Sequence, residues 1–388
     1  MKLLHLIPTL DPRAGGPPLI VSHLAAAQAM LGHDVHVMTY KSREDGLQRI
    51  ITDNRQRGFD RVFQHLLPYI TMRERITGNQ AAAMARELVP QMDALHIHGV
   101  WESMLYRSAV IARRHNKPYL ILLNGMLLPW AMQRGQWKKR LALIAGAHTM
   151  LNTGILHCGS DDEAKAARAL GYTNPSVIIP NGASPEEFAN LPAPGTIGNL
   201  VPELGDAPYV LFLGRLHEQK GIDLLLAAFQ LVIRQHPTAK LIIAGPDYGR
   251  SDEIKQRSAP MGNRLLMIGP IFGEKKLSVL RDATCFCLPS RHEGFSLAVL
   301  ESLAIGTPVV ISAECHFPAV AEKGAGVIPP LKPPDIAAAL MHFLQNPTAR
   351  QSASAAAKKM ITERYTWPHI AQQTLAAYAV NIHGRESS

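Results

Sequence analysis

Two glutamates eight residues apart, Glu293 and Glu301, flank the start of a segment that is expected to be a helix. The apolar run at 284–289 suits a buried parallel strand, and the apolar segment at 297–305 suits a helix packed on it. Because a helix rises about 1.5 Å per residue, the two carboxylates would lie about 10 Å apart, too far to share a proton. The spacing favours two polar contacts to one extended ligand, although glutamates at this spacing are also common without any function.

The turn between that strand and that helix is a candidate phosphate site. The backbone N–H groups that open a helix have no partner within it, and the positive end of the helix dipole favours an anion there. Glu293 would contact hydroxyl groups near the phosphate, and Glu301 would contact hydroxyl groups further along the ligand. The residues of the turn and of the first helical position are Gly294, Phe295, Ser296 and Leu297.

A second polar turn carries two cations. The run 209–213 predicts a strand, and Arg215 and Lys220 follow it before a predicted helix that extends to about residue 235. An arginine can chelate phosphate oxygens with its planar fork, while a lysine supplies a compact point charge. Two such cations at a strand-to-helix junction suit a diphosphate. The alternative is ordinary surface charge.

The first half of the chain has its own candidate ligand site. The run 2–10 predicts a strand, and the loop that follows contains Gly15 and Gly16, which allow a close approach of backbone to ligand. His98 ends a later predicted strand, and ligands of parallel sheets gather beyond the carboxyl ends of the strands. His98 is therefore a candidate ligand contact, with an ordinary strand-end histidine as the alternative.

Composition indicates a globular, two-domain protein. The chain has 388 residues, 47% of them hydrophobic, which is enough for two domains with separate cores. It has no uninterrupted apolar run of about 18 residues, and its apolar start meets Pro8 too early for a signal peptide, so we expect a cytoplasmic protein. The four cysteines have no paired spacing, and we expect buried thiols rather than a metal site.

The positive charge lies in the first half. Residues 1–150 contain 19 Lys and Arg against 10 Asp and Glu, so they carry all of the net charge of +9. Basic clusters occur at 55–61, 113–117 and 138–140. Such a surface suits an anionic membrane or an acidic acceptor, because each cation near anionic headgroups adds on the order of 1 kcal/mol. A solvated surface is the alternative, and no nucleic-acid-binding module accompanies the charge.

The motifs together resemble a known family. The pair of glutamates with its Gly-Phe-Ser turn, the trailing Glu-Ser-Leu-Ala-Ile-Gly-Thr-Pro-Val-Val at 301–310 and the Arg-x4-Lys-Gly motif at 215–221 resemble the retaining glycosyltransferases of family four, the group 1 glycosyltransferases. The segments 98–101 and 118–130 are similar to the bacterial members that build exopolysaccharides. The resemblance covers nearly the whole chain. It implies the GT-B fold, in which two doubly wound Rossmann-like α/β domains face a deep cleft.

The alternation of strands and helices agrees with that architecture. We expect an acceptor-binding domain at 1–190, a hinge linker at 191–207 and a nucleotide-sugar-binding domain at 208–365. The resemblance implies that a C-terminal helix at 366–388 packs back on the first domain. The polar segment 41–76 has no clear period, and we expect an insertion or lid there.

The resemblance also implies roles for the candidate residues. Arg215 and Lys220 would contact the diphosphate, and Glu301 would bind ribose hydroxyls. Glu293, with the amides of Phe295 and Ser296, would bind the sugar. The Gly15-Gly16 loop would border the cleft, and Pro270-Ile271 would hold the base through backbone groups. The expected catalytic residues are Glu293, His98, Arg215 and Lys220, with His98 positioning the sugar.

The expected function is that of a retaining hexosyltransferase. It would move a hexose, with UDP-glucose as the expected donor, to a glycan or lipid-linked glycan in polysaccharide biosynthesis. We expect no metal and no cofactor, because two cations can replace a metal ion at the diphosphate. The expected location is cytoplasmic, with a possible peripheral contact at the inner face of the membrane, and no nucleic acid partner. Two alternatives remain, a nucleotide-sugar epimerase of the same fold and a non-catalytic nucleotide-sugar-binding protein.

Overall fold

The protein consists of two compact units. The computed structural model describes residues 1–42, 58–188 and 191–386. The first unit comprises Met1–Gly182 and Trp367–Ser388, and the second comprises Ala183–Thr366. Residues 43–57, which make up much of the expected insertion or lid, lie outside the described residues.

A seven-stranded, all-parallel sheet forms the centre of the first unit. Its central strands are buried on both faces, and their side chains are mostly apolar, with four buried histidines among them. The strand order in space is β3-β2-β1-β4-β5-β6-β7. The strands are β1 (Lys2–Leu6), β2 (Asp34–Tyr40), β3 (Phe63–Leu67), β4 (Ala94–His98), β5 (Tyr119–Leu122), β6 (Ile155–Cys158) and β7 (Ser176–Ile178).

The edge strand β3 was not predicted. It lies in the segment expected to be an insertion or lid, and it pairs with β2 from His36 opposite Phe63 to Tyr40 opposite Leu67. An edge strand is covered by a partner on one side only, so polar residues such as Gln64 are tolerated in it. The polar composition that argued against regular structure is therefore compatible with a sheet edge.

Helices cover the sheet of the first unit. A π-helical segment, Leu143–Ala147, joins the sixth helix to the seventh. The helices before the second unit are α1 (Gly16–Met30), α2 (Met72–Thr77), α3 (Asn79–Leu88), α4 (Ser103–Arg114), α5 (Pro129–Met132), α6 (Gln136–Ala142), α7 (His148–Thr153) and α8 (Asp161–Ala169).

The second unit has a six-stranded, all-parallel sheet with the order β10-β9-β8-β11-β12-β13. Its strands are β8 (Tyr209–Leu213), β9 (Lys240–Ala244), β10 (Leu265–Gly269), β11 (Cys285–Leu288), β12 (Val309–Ile311) and β13 (Gly326–Val327). Its helices are α9 (Thr196–Leu200), α10 (Ile222–Gln235), α11 (Ser251–Ser258), α12 (Gly273–Arg281), α13 (Leu297–Ile305), α14 (Ala319–Glu322), α15 (Pro333–Gln345) and α16 (Pro347–Arg364). The strand expected near 284–289 and the helix expected at 297–305 are both present.

The C-terminal helix α17 (Trp367–Glu386) packs on α1 of the first unit. The Trp367 ring stacks on His23 at 5.3 Å between centroids, and Gln28 Nε2 donates to Thr374 Oγ1 at 2.9 Å. None of the helices in the described part of the chain, including this one, is long and apolar enough to cross a membrane.

The segment expected to be a hinge linker, 191–207, is packed into the second unit. Ile197, Val201 and Leu204 are buried in the core of that unit, and Gly195 N donates to Asp282 Oδ2 at 3.1 Å. The segment is rich in Pro and Gly, which is typical of a linker, but its apolar side chains pack against the core of this unit. The chain passes from one unit to the other at Gly182–Ala183 and at Thr366–Trp367.

Both sheets change their direction of winding between two central strands. In the first unit the chain adds strands beyond β1 on one side and beyond β4 on the other, and β8 and β11 play the same part in the second unit. Loops that follow such neighbouring strands diverge, which leaves a crevice at the carboxyl edge of the sheet. The two crevices are the places where the candidate residues lie.

Candidate functional site

The centre of the second unit's site is an ion pair between Lys220 and Glu293. Lys220 Nζ lies 2.6 Å from Glu293 Oε1, and the side chains are 13% and 8% exposed. Ser290 Oγ also donates to Glu293 Oε1, at 2.6 Å. Lys220 ends the turn after β8, whereas Glu293 lies in the turn after β11. The ion pair therefore joins the two sides of the crevice with little access to water.

Backbone contacts hold the same two turns together. Arg291 N donates to Gln219 O at 2.7 Å, and Gln219 Nε2 donates to His292 O at 2.7 Å. Gly221 has a φ of +65°, and a Cβ added there would collide with the carbonyl oxygen of Pro289. The glycine of the Arg-x4-Lys-Gly motif is thus required by both its backbone conformation and this close approach.

A second ion pair, between Arg291 and Asp223, connects the turn after β11 to the helix that follows the turn after β8. The guanidinium of Arg291 contacts both oxygens of Asp223 at 2.7 Å and also donates to Glu218 O at 2.9 Å. Burial alone would raise the pKa of Asp223, but the hydrogen bonds and the charge of Arg291 lower that pKa below its ordinary value. Asp223 lies in the first turn of α10, so this pair fixes the helix that follows the Lys220 turn.

Glu301 has a partner that the sequence did not indicate. Lys276 Nζ, from α12, lies 2.8 Å from Glu301 Oε1. Glu187 lies close enough for the charge of Glu301 to affect it: burial first, and then the neighbouring Glu301, raise the pKa of Glu187 to about 7. Lys276 and Glu187 belong to segments without a recognisable motif. The only available signal was the position of Lys276 in the helix that follows the expected base-binding segment.

The remaining candidates of the second unit lie at the same carboxyl edge. The Arg215 guanidinium lies over the ring of Tyr248 at 5.4 Å, which orients the cation. Pro270 is exposed and Ile271 is buried just after β10. Helix α13 begins at Leu297 with Ser296 as its N-cap, and the Ser296 side chain makes no capping bond. Gly294 lies in the preceding turn.

Aromatic packing fixes that turn. The ring of Phe295 lies 4.7 Å from the ring of Phe317, and Phe317 lies 5.0 Å from Tyr365, centroid to centroid. Phe295 is therefore anchored by its side chain in the apolar interior. The anchored ring fixes the backbone that leads into α13, the segment expected to bind the sugar and phosphate through amides.

In the first unit, the Gly15-Gly16 loop and His98 follow the two central strands. Gly15 has a φ of +104° and is the N-cap of α1, and Gly16 is the first residue of that helix. His98 is the last residue of β4 and is 3% exposed. Since β1 and β4 pair directly, both candidates lie at the crevice of the first unit, as expected from their place after the strands.

His98 belongs to a buried group of four histidines, together with His5, His96 and His157. The ring of His96 stacks on His98 at 4.3 Å, and His5 Nδ1 lies 2.9 Å from His98 Nε2. Burial lowers the pKa of His5 and of His157 to about 4, and it lowers the pKa of His96 and of His98 well below the ordinary value. All four rings are therefore neutral at pH 7.

Three of these histidines are close enough to share a metal ion. Within the described residues, the ligand atoms of His5, His96 and His98 lie within 4.8 Å of one another. Hydrogen bonds to Gln28 and Tyr378 already engage nitrogens of His5 and His96. Neutral, hydrogen-bonded rings account for the group without a metal ion.

Glu163 fixes a neighbouring loop of the first unit. Its two carboxylate oxygens accept hydrogen bonds from the backbone N–H groups of Gly125 and Gly159, the latter at 2.6 Å. Asn124, next to Gly125, has a φ of +50°. Ser160 caps α8, with its side chain accepting a hydrogen bond from Glu163 N. Glu163 additionally connects the loops that follow β5 and β6.

Family models match the larger part of both units. The family model described as "Glycosyl transferases group 1" matches residues 201–360, and "Glycosyl transferase 4-like domain" matches residues 15–182. The chain belongs to the group 1 glycosyltransferases. The predicted family and the predicted enzyme class are both confirmed.

Three relatives show how far the sequence similarity extends. An uncharacterized glycosyltransferase of Methanocaldococcus jannaschii is 32% identical over 54% of this chain and 55% of the relative. The phosphatidyl-myo-inositol mannosyltransferase of Mycobacterium leprae is 27% identical over 74% of this chain and 73% of its own. The GDP-mannose:cellobiosyl-diphosphopolyprenol alpha-mannosyltransferase of Xanthomonas oryzae is 24% identical over 97% of this chain and 96% of its own.

Solved structures share the fold over the full chain. Anabaena HepE in complex with UDP and glucose has a TM-score of 0.79 at 17% identity and covers 98% of this glycosyltransferase and 100% of its own chain. Sucrose-phosphate synthase from Thermosynechococcus elongatus has a TM-score of 0.75 at 20% identity, with 99% of each chain covered. With the two parallel-sheet units, this likeness confirms the predicted GT-B fold.

The buried histidines predict a loss of stability in mild acid. Because the pKa values of His5 and His157 are about 4 in the folded protein and about 6.5 when unfolded, the unfolded chain binds more protons between those pH values. The contribution of these histidines to the free energy of unfolding is fully present above pH 6.5. It decreases by roughly 3 kcal/mol per histidine as the pH falls towards 4. Urea unfolding at a series of pH values measures this slope. We expect a shallower slope for His157→Gln and an unchanged slope for the exposed-site variant His148→Gln.

The close approach at Gly221 predicts a specific cost for an added methyl group. Gly221→Ala should lose more than the roughly 1–2 kcal/mol that a left-handed conformation costs any alanine, because its Cβ also meets the Pro289 carbonyl. Gly135→Ala is the matched control, since Gly135 has the same left-handed conformation, with a φ of +61° and a ψ of +33°, but no atom within 4 Å of an added Cβ. Urea unfolding compares the two variants. Equal losses would show that the two turns are not in tight contact.

Proposed function

We propose that this glycosyltransferase transfers a hexose from a nucleotide diphosphate donor, with retention of the anomeric configuration, to a glycan or lipid-linked glycan. The observation that carries the proposal is the Lys220–Glu293 pair, which joins the two turns at the crevice of the second unit. Placed there, a cation can meet a diphosphate while the adjacent carboxylate accepts hydrogen bonds from sugar hydroxyls.

The proposed chemistry is electrostatic. As the bond from sugar to diphosphate breaks, negative charge grows on the departing diphosphate, and cations already in place stabilise it without reorganisation. Lys220 and Arg215 are the proposed cations. Because two fixed positive charges do this work, we propose that no metal ion and no cofactor are needed. We assign no protein nucleophile, and the acceptor would attack the face from which the diphosphate departs.

The remaining candidates complete the donor site. Glu301, oriented by Lys276, would bind the ribose hydroxyls, while Pro270-Ile271 would hold the base through backbone groups. Amides of residues 294–297 would contact the sugar and phosphate at the start of α13. In the first unit, we propose that the backbone of the Gly15-Gly16 loop approaches the ligand closely and that His98 positions the transferred sugar.

The proposed donor is UDP-glucose. The sequence resemblance supports this choice, and GDP-mannose is the second candidate because the name of the Xanthomonas relative, which matches over 97% of this chain, specifies it. A melting-temperature panel of UDP, GDP, ADP and their sugars separates the candidates, since a ligand that binds only the folded protein must raise the melting temperature.

Lys220 provides the direct test of the donor site. Lys220→Met should abolish the melting shift produced by the preferred donor and lower kcat/KM on the order of a hundredfold, because a charge aimed at the departing diphosphate is lost. Turnover by the wild type should persist in EDTA, and proton NMR should show the donor's anomeric configuration in the product.

Two further variants make that test specific. Lys220→Arg keeps the charge opposite Glu293 and should recover part of the activity, whereas Lys255→Met removes an exposed lysine of the same unit and should change nothing. A melting shift without turnover would instead support a non-catalytic nucleotide-sugar-binding protein. The absence of any shift across the panel would refute the donor site.

We also propose a peripheral contact with an anionic membrane through α6 and the π-helical segment after it. Trp137, Leu141 and Ile144 recur at intervals of four and three residues, which places them on one helical face, and all three are exposed, Ile144 by 85%. Lys138 and Arg140 alternate with them and are exposed as well. An apolar face among cations is typical of helices that lie in a membrane interface.

Leu127 and Leu128, in the preceding loop, are not part of that surface. Leu127 is 3% exposed and Leu128 is 4% exposed, so both belong to the core. Their burial excludes these two leucines from the proposed membrane contact. The exposed apolar side chains of the proposed membrane surface begin at Trp137, in α6.

The membrane contact predicts a selective loss of vesicle binding. The triple variant with serine at positions 137, 141 and 144 should lose sedimentation with vesicles that contain anionic lipid. A matched control replaces Met72 and Ile76, two equally exposed apolar residues on another helix of the first unit, with serine. The control should bind vesicles like the wild type. Equal binding by all three proteins would refute this surface.

A further inference from the structure

Gln28, on α1, ends a buried chain of hydrogen bonds that leads to His98. Gln28 Oε1 lies 2.7 Å from His5 Nε2, and His5 Nδ1 lies 2.9 Å from His98 Nε2. The side chains of all three residues are buried. No motif in the sequence gives Gln28 or His5 a role in binding or catalysis. Any role of these residues must therefore follow from the hydrogen bonds that connect them to His98.

Thr374 fixes the direction of the chain. The Thr374 hydroxyl has one proton, which it donates to Ala371 O at 2.8 Å, so Thr374 Oγ1 accepts from Gln28 Nε2 at 2.9 Å. The amide therefore presents its nitrogen to Thr374 and its oxygen to His5. An oxygen only accepts, and His5 must carry its proton on Nε2.

The tautomer of His98 follows from that of His5. A neutral His5 with its proton on Nε2 has a bare lone pair on Nδ1, which can only accept. His98 must therefore donate from Nε2, and its own Nδ1 is left as an acceptor. In the described part of the chain, His98 Nδ1 is buried without any hydrogen-bond partner. A buried acceptor without a partner is costly, and a ligand hydroxyl can supply the missing bond.

The other two histidines form a second branch, whose tyrosine, Tyr378, is also hydrogen-bonded to Gln28. His157 Nε2 donates to Ile179 O at 2.8 Å, so His157 Nδ1 accepts from His96 Nε2 at 3.0 Å. Tyr378 OH then donates to His96 Nδ1 at 2.8 Å. This branch contacts His98 through the stacked His96 ring and not through a hydrogen bond. The protons on His98 are therefore governed by the branch that contains Gln28.

We propose that Gln28 is a positioning residue that acts through His5 to keep His98 Nδ1 as a hydrogen-bond acceptor for a hydroxyl group of the transferred hexose. The ligand in this statement rests on the proposed function. The arrangement leaves no donor at His98 Nδ1, so it selects a hydroxyl group that can give its proton. If the ligand atom could only accept a hydrogen bond, its lone pair would face the lone pair of His98 Nδ1.

The test combines histidine NMR with kinetics on the full-length protein. With 15N-labelled histidine, and with His98 assigned from the peaks lost in His98→Asn, the wild type should show a protonated Nε2 and a bare Nδ1. Gln28→Met has a similar shape but no comparable acceptor for His5, so His98 should become a mixture of tautomers. The KM for the donor should rise about tenfold, as for a lost hydrogen bond, with a smaller change in kcat.

His157→Gln is the matched control, because it changes the other branch at a buried residue whose hydrogen bonds go to His96 and Ile179 and not to Gln28. It should lower stability yet leave the His98 tautomer and the donor KM unchanged. A protonated Nδ1 in the wild type would overturn the proposal, and so would a Gln28→Met variant that matches His157→Gln in both measurements while the wild type turns over its donor. If the tautomers respond as expected but no nucleotide sugar is used, the proposed function fails, and the ligand assigned to His98 fails with it.

Discussion

Each sheet of this glycosyltransferase changes its direction of winding between two neighbouring strands, and the candidate sites depend on that constraint. The loops after β1 and β4, and those after β8 and β11, must diverge because the helices they lead into cover different parts of the sheet. The divergence exposes backbone and side chains at the carboxyl edge. Neither crevice needs a dedicated insertion, since the parallel topology itself produces it.

Electrostatics explains how the side chains at the crevice of the second unit are held in place. Removing a charge from water is costly, so buried ions must be paired. Lys220 pairs with Glu293, Lys276 with Glu301, and Arg291 with Asp223. Removing one member of a buried pair such as Lys220 and Glu293 typically costs about 3–5 kcal/mol, whereas the other two pairs are 20–28% exposed and contribute less. A diphosphate would meet cations that are already in place.

The sequence predicted the parts of the site that local patterns encode. The strand before Glu293, the helix after it and the cations after β8 all follow from apolar runs, glycines and charge within a few residues. The GT-B fold and the family followed from those motifs. The predicted roles of the site residues remain predictions, since the arrangement of side chains does not by itself identify a ligand.

Other parts depend on contacts between residues far apart in the chain. Lys276 and Glu301 are 25 residues apart, and Gln28 meets Thr374 across 346 residues. No local pattern encodes such pairs. The expected hinge at 191–207 failed for a related reason, because burial of Ile197 depends on the core it packs against and not on its Pro- and Gly-rich neighbours. Strand β3 was missed because an edge strand tolerates polar residues.

The two units use different means to define a polar site. In the second unit, opposite charges are paired, and this pairing fixes the positions of the side chains. In the first unit, burial keeps four histidines neutral, and the site is defined by which nitrogen carries each proton. A neutral ring with a fixed tautomer distinguishes a donor from an acceptor in its ligand, which a point charge such as Lys220 does less well. Charge therefore suits the diphosphate, which is similar in every candidate donor, whereas a fixed lone pair suits the hydroxyl groups by which one hexose differs from another.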